Sequence, residues 1–176
     1  PVPSLTSVEL ASDKALTYEL AERLLIPTIK TYTKEQFGEV VYPAVIKNRH
    51  SIVFKNGSSI SGSASFVFSL DELVSVYEKI LNQTGEAPLV QEFIQGEEYG
   101  VEMICNKGEV IDTLFVHRRI RSLSPRGGAA VVKETAEESL EVESTKAYAQ
   151  ALAKELAWDG PIRVELTVDA QDGRLL

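Results

Sequence analysis

The chain has 176 residues, the length of one ordinary domain or two small subdomains, and its 44% hydrophobic and 25% charged residues are usual for a soluble globular protein. Its 26 acidic against 18 basic residues give a formal net charge of -8, which argues against a general nucleic-acid or anionic-membrane surface, since both need clustered cations. A small cationic pocket for a phosphate is still compatible with that balance.

In chain order, Asp13 is a good N-cap for "KALTYELAERLL", where Leu16, Leu20 and Leu24 fall at helical spacing, and Pro27 is expected to end that helix. "TIKTY" alternates like a strand, and "YPAVIK" at 42 to 47 is a short apolar strand running into a lysine. "NRHSIVFKNGSSISGSASFVFS" suits a hairpin with a polar, glycine- and serine-rich tip at 56 to 65. Ser69 and Glu72 form an S-x-x-E capping box for "LDELVSVYEKIL". Strands are expected around 88 to 94, 99 to 105 and 109 to 120, with a turn at Asn106, Lys107 and Gly108 and a loop, "SPRGG", at 124 to 128. "ESTKAYAQALAKELAW" is a second amphipathic helix that Gly160 should stop, before a strand "IRVELTVD" at 162 to 169 and a turn "AQDG".

This order predicts an α+β fold with mainly antiparallel sheets and flanking helices. A seam near 84 to 90 divides it into two lobes, 1–86 and 87–176. Cys105 is the only cysteine, so an internal disulfide and a Cys-based zinc site are both excluded. No apolar run approaches the ~20 residues of a membrane helix, and no signal peptide is visible. The expectation is a soluble cytoplasmic protein without nucleic-acid or membrane partners. The start at Pro1 and the stop inside "DAQDGRLL" are read as those of an excised piece.

Several stretches could carry chemistry. "PLVQEFIQGEEYGVEMI" begins and ends like a buried strand but is broken by polar residues. An adenine ring needs apolar surfaces on its faces, backbone groups at its edge and a carboxylate for the ribose. Gln91 to Ile94 could supply the edge, Phe93 and Ile94 the surface, and Glu98 the ribose contact. The same stretch also reads as strand, tight turn and strand with solvated glutamates. Lys47 ends its strand where an ammonium could reach a phosphate, or is a solvated strand-end lysine. Lys14 lies in the first turn of a helix, where a cation opposes the macrodipole unless an anion sits there. The hairpin tip could lie over phosphates, but it lacks the P-loop pattern.

In "HRRIRSLSPRGG", His117, Arg119 and Arg121 would share one face of an extended strand, with Arg118 on the other. Such repelling charges call for an anion, or protect an exposed edge strand. "IRVELTVD" puts Arg163 and Glu165 on one face and Ile162, Val164 and Leu166 on the other. That pair suits a Mg²⁺ ligand beside a phosphate-neutralising cation, and equally a cross-strand ion pair.

Taken in order, these motifs resemble the ATP-grasp superfamily over essentially the whole chain. "DKALTYELAERLLIPTIKTYT" resembles the family's opening helix and strand, and "YPAVIK" its Y-P-V-V-V-K-P. "LVQEFIQGEEYGVEM" resembles the hinge V-E-x-[FY]-[IL]-x-G-x-E, and "GPIRVELTVDAQDGRLL" the strand and turn leading to a metal-binding E-x-N. The chain looks most like the carbamoyl-phosphate-synthase-like, carboxylate–amine ligase members.

The resemblance implies the two-lobed ATP-grasp fold, ATP and Mg²⁺ (or Mn²⁺) as cofactors, and small-molecule carboxylate and amine substrates joined through an acyl phosphate. It assigns Lys14 and Lys47 to the phosphates, Gln91, Phe93 and Ile94 to the adenine hinge, and Glu98 to the ribose. It assigns Glu165 to the metal and Arg163 to the reacting acyl phosphate, while the arginine strand itself, with Arg119 and Arg121, suggests an anionic substrate. Asn48 departs from the usual proline, and Gln91 from the more frequent glutamate. The E-x-N pair and a domain preceding the grasp lobes are not in the sequence, which implies weak activity for this piece and a homodimer or partner domain supplying the missing segments. The alternative is a non-catalytic nucleotide-binding or subunit-assembly module that keeps the fold.

Overall fold

A computed structural model describes the chain except Asn56, Ser63, Pro125 and Arg126; the side chains of Thr113 and of residues 122 to 129 are also left undescribed. The expected tip of the hairpin and the centre of the "SPRGG" loop therefore fall partly outside the described residues.

The elements are α1 (Leu5–Ser12), α2 (Lys14–Arg23), β1 (Thr31–Tyr32), a 3-10 helix (Lys34–Glu39), β2 (Ala44–Lys47), β3 (Ile52–Lys55), β4 (Ser58–Ser61) and β5 (Ser65–Val67). They continue with α3 (Leu70–Thr84), β6 (Leu89–Glu92), β7 (Gly96–Asn106), β8 (Glu109–Ser124), β9 (Gly127–Thr135), α4 (Leu140–Glu155) and β10 (Gly160–Asp169). The chain folds into two compact units, one of residues 12 to 19 and 28 to 93, the other of 1 to 11, 20 to 27 and 94 to 176.

In the first unit a four-stranded antiparallel sheet runs β1-β6-β2-β5, with β3 and β4 as a separate hairpin. Ala44, Ile46, Val67 and Val90 project from the sheet onto α3, where Leu73, Tyr77 and Ile80 meet them. The α3 cap is local chemistry. The Ser69 hydroxyl accepts from the Glu72 N–H at 3.3 Å, but the Glu72 carboxylate accepts from the Phe68 N–H at 2.8 Å, so the return arm of the box lands one residue early. At the other end Gly85, at φ 83°, takes the left-handed cap and donates to the Leu81 carbonyl.

The second unit is built on a longer antiparallel sheet, β10-β7-β8-β9. Val101, Met103, Cys105, Val116 and Leu166 form its inner face against Val142, Ala149 and Ala153 of α4. Cys105 is an apolar packing residue there, and burial raises its thiol pKa. Leu20, Ala21 and Ile26 pack on Leu152 and Leu156. No described helix is long and apolar enough to cross a membrane.

Three expectations are corrected and one element is added. The segment after Ser124 is not simply a loop, because Gly127–Thr135 forms a fourth strand beside β8. Residues 5 to 12, where the sequence suggested no element, form α1, and the buried Ser7 hydroxyl donates to the Leu156 carbonyl at 2.7 Å. Helix α2 stops before Pro27 has any say. Leu25 turns left-handed at φ 57°, and the Leu25 and Ile26 N–H groups close onto the Glu22 and Ala21 carbonyls. Helix α4 ends the same way. Ala157 is at φ 45°, the Ala157 and Trp158 N–H groups bond the Lys154 and Ala153 carbonyls, and Gly160 instead opens β10.

Candidate functional site

In the first unit the chemistry gathers where β2 ends and α2 begins. Asp13 caps α2, its Oδ1 accepting from the Ala15 N–H at 3.0 Å and the Leu16 N–H at 3.4 Å. Burial alone would raise the Asp13 carboxyl, but Arg49 and these N–H groups hold it below its ordinary value. The anion that a lysine at this helix start calls for is thus, in part, Asp13 itself.

Lys14 and Lys47 are both half-buried. Burial, and then the charge of Lys47, lower the Lys14 pKa against the opposing pull of Asp13. The Lys14 ammonium donates to the Ser51 hydroxyl at 3.0 Å. Among the described residues neither lysine has a carboxylate within ion-pair distance. Two partly buried cations that repel each other, with no carboxylate in ion-pair contact among the described residues, are an arrangement that an anion relieves.

Gln91 sits in the middle of the same sheet, opposite Thr31 on one side and Val45 on the other. Its side chain is fully buried and donates to the Thr31 hydroxyl at 3.0 Å. Its backbone lies in the ladder between β1 and β2, so what remains for an adenine edge is the backbone of the residues after it. Strand pairing stops after Glu92 and resumes at Gly96, so residues 93 to 95 leave the ladder, as the polar interruption of that stretch predicts. Phe93 is exposed and meets Phe66 edge-on, their ring centres 5.3 Å apart. Ile94, the first residue of the other unit, is half-buried.

In the second unit the outer face of the long sheet is the polar one. Register puts Glu98 opposite Thr167, Gly100 opposite Glu165 and Glu102 opposite Arg163. Gly100 also faces His117 across β7 and β8. Arg163 Nε donates to Glu102 at 2.6 Å and Nη1 lies 3.9 Å from Glu165, so the expected Arg163–Glu165 face is present. Ile162, Val164 and Leu166 face inward, as the alternation requires. Arg119 pairs with Glu98 at 2.6 Å. Glu98, Tyr99, His117, Arg119, Lys133 and Glu165 line one small concavity.

His117 is the residue on this face that spacing alone undervalued. It is 7% exposed, and a Cβ at Gly100 would collide with its ring. Its Nδ1 lies 3.5 Å from Glu102. Burial first, then Lys133 and Arg163, lower its pKa, with Glu102 and Glu165 opposing, so the neutral imidazole is favoured. Lys133 was missed because its strand was not foreseen.

The expectation that Arg121 shares a face with His117 and Arg119 is overturned. Arg119 pairs with Lys133 and Arg121 with Val132, so two steps along β8 match one along β9. That bulge resets the alternation and turns Arg121 to the face opposite Arg119. Arg118, also on that opposite face, is neutralised by Glu97 at 3.2 Å and Glu134 at 2.6 Å.

Among the described residues no group of three or more His, Cys, Asp or Glu is arranged to hold a metal ion. Glu165 is an exposed carboxylate whose ion-pair contact among the described residues is Arg163, at 3.9 Å. One such carboxylate fits Mg²⁺ of the kind bound chiefly through phosphate oxygens and water, not an all-protein cage.

A family model described as an ATP-grasp domain matches residues 11–158. No curated protein matches the chain. Among solved structures it is similar to biotin carboxylase from Campylobacter jejuni, in a β,γ-ATP complex, with TM-score 0.77, 18% identity, 99% of this chain and 41% of that one covered. It is similar to D-alanine–D-alanine ligase from Bacillus anthracis, with TM-score 0.71, 18% identity and coverage of 99% and 57%. An L-amino acid ligase from Bacillus licheniformis gives TM-score 0.70, 20% identity and coverage of 99% and 41%. The chain thus spans between 41% and 57% of the length of these structures, and at such identities they bear on fold alone. With the family model covering most of its length, and the antiparallel sheets and helices of its neighbours reproduced, the chain belongs to the ATP-grasp domain family.

Proposed function

We propose that this chain is the nucleotide-binding part of an ATP- and Mg²⁺-dependent ligase that joins a carboxylate to an amine. The observation that carries the reading is the Lys14–Lys47 pair, half-buried, mutually repelling and without a carboxylate partner among the described residues. The names of the similar structures, two of them ligases and one in complex with ATP, point the same way.

In this reading Lys14 and Lys47 neutralise the phosphates, and their incomplete solvation makes each contact stronger than it would be in water. The backbone at 93 and 94, off the strand ladder just beyond Gln91 and Glu92, receives the adenine edge, with Phe93 and Ile94 as apolar surface. Glu98 accepts from the ribose hydroxyls, in competition with Arg119. Glu165 would hold Mg²⁺ together with phosphate oxygens. ATP, when bound, supplies the phosphoryl group that converts the acid to an acyl phosphate, from which the amine displaces phosphate. Arg163, fixed by Glu102, and Arg119 orient the anionic groups, which is positioning and charge neutralisation rather than covalent chemistry. Arg121, on the opposite face, has no part in that set.

Thermal unfolding with Mg²⁺, with and without millimolar ATP, tests the proposal. A ligand that binds only the folded state raises the midpoint. A rise in the wild type that is lost in Lys47→Ala is the expected result. An equal rise in Lys47→Glu would reject the site. ATP binding without turnover by the intact protein would favour a non-catalytic nucleotide-binding module instead.

A further inference from the structure

Among the described residues, no hydrogen bond or ion pair of their own holds together the two lysines at the start of α2 and the end of β2. Lys14 has one hydroxyl partner, Ser51, and the pair repels. What fixes them is the layer beneath. Asp13 precedes Lys14, and Arg49 lies two residues beyond Lys47. Arg49 Nε donates to both Asp13 oxygens at 2.8 and 2.7 Å, and Nη2 lies 2.6 Å from Oδ2. The Asp13 side chain is only 7% exposed. The Lys14 N–H donates to the Arg49 carbonyl at 3.1 Å, and Asp13 forms an isolated β-bridge with His50. His50 continues the layer, with Nε2 3.8 Å from Asp13 and Nδ1 2.8 Å from Glu86.

A guanidinium gripping a largely buried carboxylate through several hydrogen bonds fixes direction as well as distance, which a lysine cannot do. Here the carboxylate also caps α2. One side chain therefore ties the helix that carries the first lysine to the chain segment that carries the second. We propose that Arg49 is a positioning residue which, through Asp13, holds Lys14 beside Lys47 so that the anion site exists before any phosphate arrives. The inference rests on the nucleotide reading for its purpose, but the geometric claim can be tested without nucleotide.

The test follows the Lys14 ammonium by NMR of the full chain with ¹⁵N-labelled lysine side chains, its signal assigned with Lys14→Arg. It is paired with dissociation constants for Mg-ATP and with denaturant unfolding. In Arg49→Ala the Lys14 titration is expected to move up toward that of an ordinary lysine, and Mg-ATP to bind about tenfold or more weakly. Arg49→Lys keeps the charge without the fork, so it should restore stability better than it restores the Lys14 titration. Should Arg49→Ala fail to fold, Arg49→Gln keeps the Asp13 charge and the helix cap, removes the ion pair and should give the same upward Lys14 shift. A Lys14 titration unchanged in these folded variants would overturn the proposal, whatever happens to stability or affinity. If wild type binds no Mg-ATP, the nucleotide reading fails, yet the Lys14 comparison still decides what Arg49 does.

Discussion

Arg119 and Glu98, which sequence alone assigns to different ligands, meet each other at 2.6 Å on adjacent strands of the long sheet. The carboxylate offered to a ribose is therefore already occupied, and the cation offered to an acid is already neutralised. A ligand must exchange with this pair, which makes Arg119 a competitor for Glu98. Glu98→Gln is expected to shrink the Mg-ATP-induced rise in unfolding midpoint. Arg119→Gln should leave that rise in place or enlarge it. The reverse order in thermal-shift titrations would remove Glu98 from the nucleotide contacts.

Lys14 should show a conflict between stability and binding. Its charge is disfavoured in the folded chain by burial and by Lys47. Lys14→Met keeps the stem's apolar contacts and removes the charge, so it should raise the ligand-free unfolding midpoint while abolishing the response to ATP. A lowered ligand-free midpoint would show that the Ser51 bond outweighs the desolvation.

The Asp13 carboxyl titrates below its ordinary value of 3.8 in the folded state, so its contribution to stability is present above that pH and is lost as pH falls through the lower folded value. Asp13→Asn should therefore lower stability at neutral pH and flatten the stability profile below about pH 4. Denaturant unfolding from pH 2 to 7 measures it. Parallel profiles in wild type and variant would dissociate Asp13 from the acid sensitivity.

Leu25 is 88% exposed and sits at φ 57°, so its side chain gains little while its backbone is strained. Leu25→Gly should stabilise by about 1 kcal/mol, the left-handed penalty of a non-glycine residue, less the entropy that glycine adds to the unfolded chain. Chemical denaturation reads this directly. A loss of stability would mean that the Leu25 side chain contributes packing that its exposure hides.

A methyl group at Gly100 must displace the His117 ring, since no other room is open to it there. Gly100→Ala should cost about 1–3 kcal/mol, as for other overpacked sites. It should also return the His117 titration toward its ordinary value, followed by NMR. An unchanged His117 signal would show that the sheet, not the ring, gives way.

What was legible in the sequence was local. Asp13 and Ser69 announce helix starts because a cap is a bond to an N–H two or three residues away. Alternation placed Arg163 and Glu165 outward and Ile162, Val164 and Leu166 inward because the strand runs through them without a bulge. The helix ends at Leu25 and Ala157 were not legible, since the cap glycine that usually marks them is replaced by residues carrying the strain. Nor was the face of Arg121, because one extra residue in β8 changes the side and only the partner strand reveals it.

The sequence by itself determined the α+β class, the helix starts, the interrupted strand at 89 to 103 and the order of motifs that marks the family. Only the tertiary structure decided which charges are left without partners. Lys14 and Lys47 lie 33 positions apart, and the carboxylates that could have quenched them are scattered along the chain. Which of these carboxylates comes within reach is fixed by strand register and by the Asp13–Arg49 layer, and Coulomb energy depends on distance in space rather than along the chain.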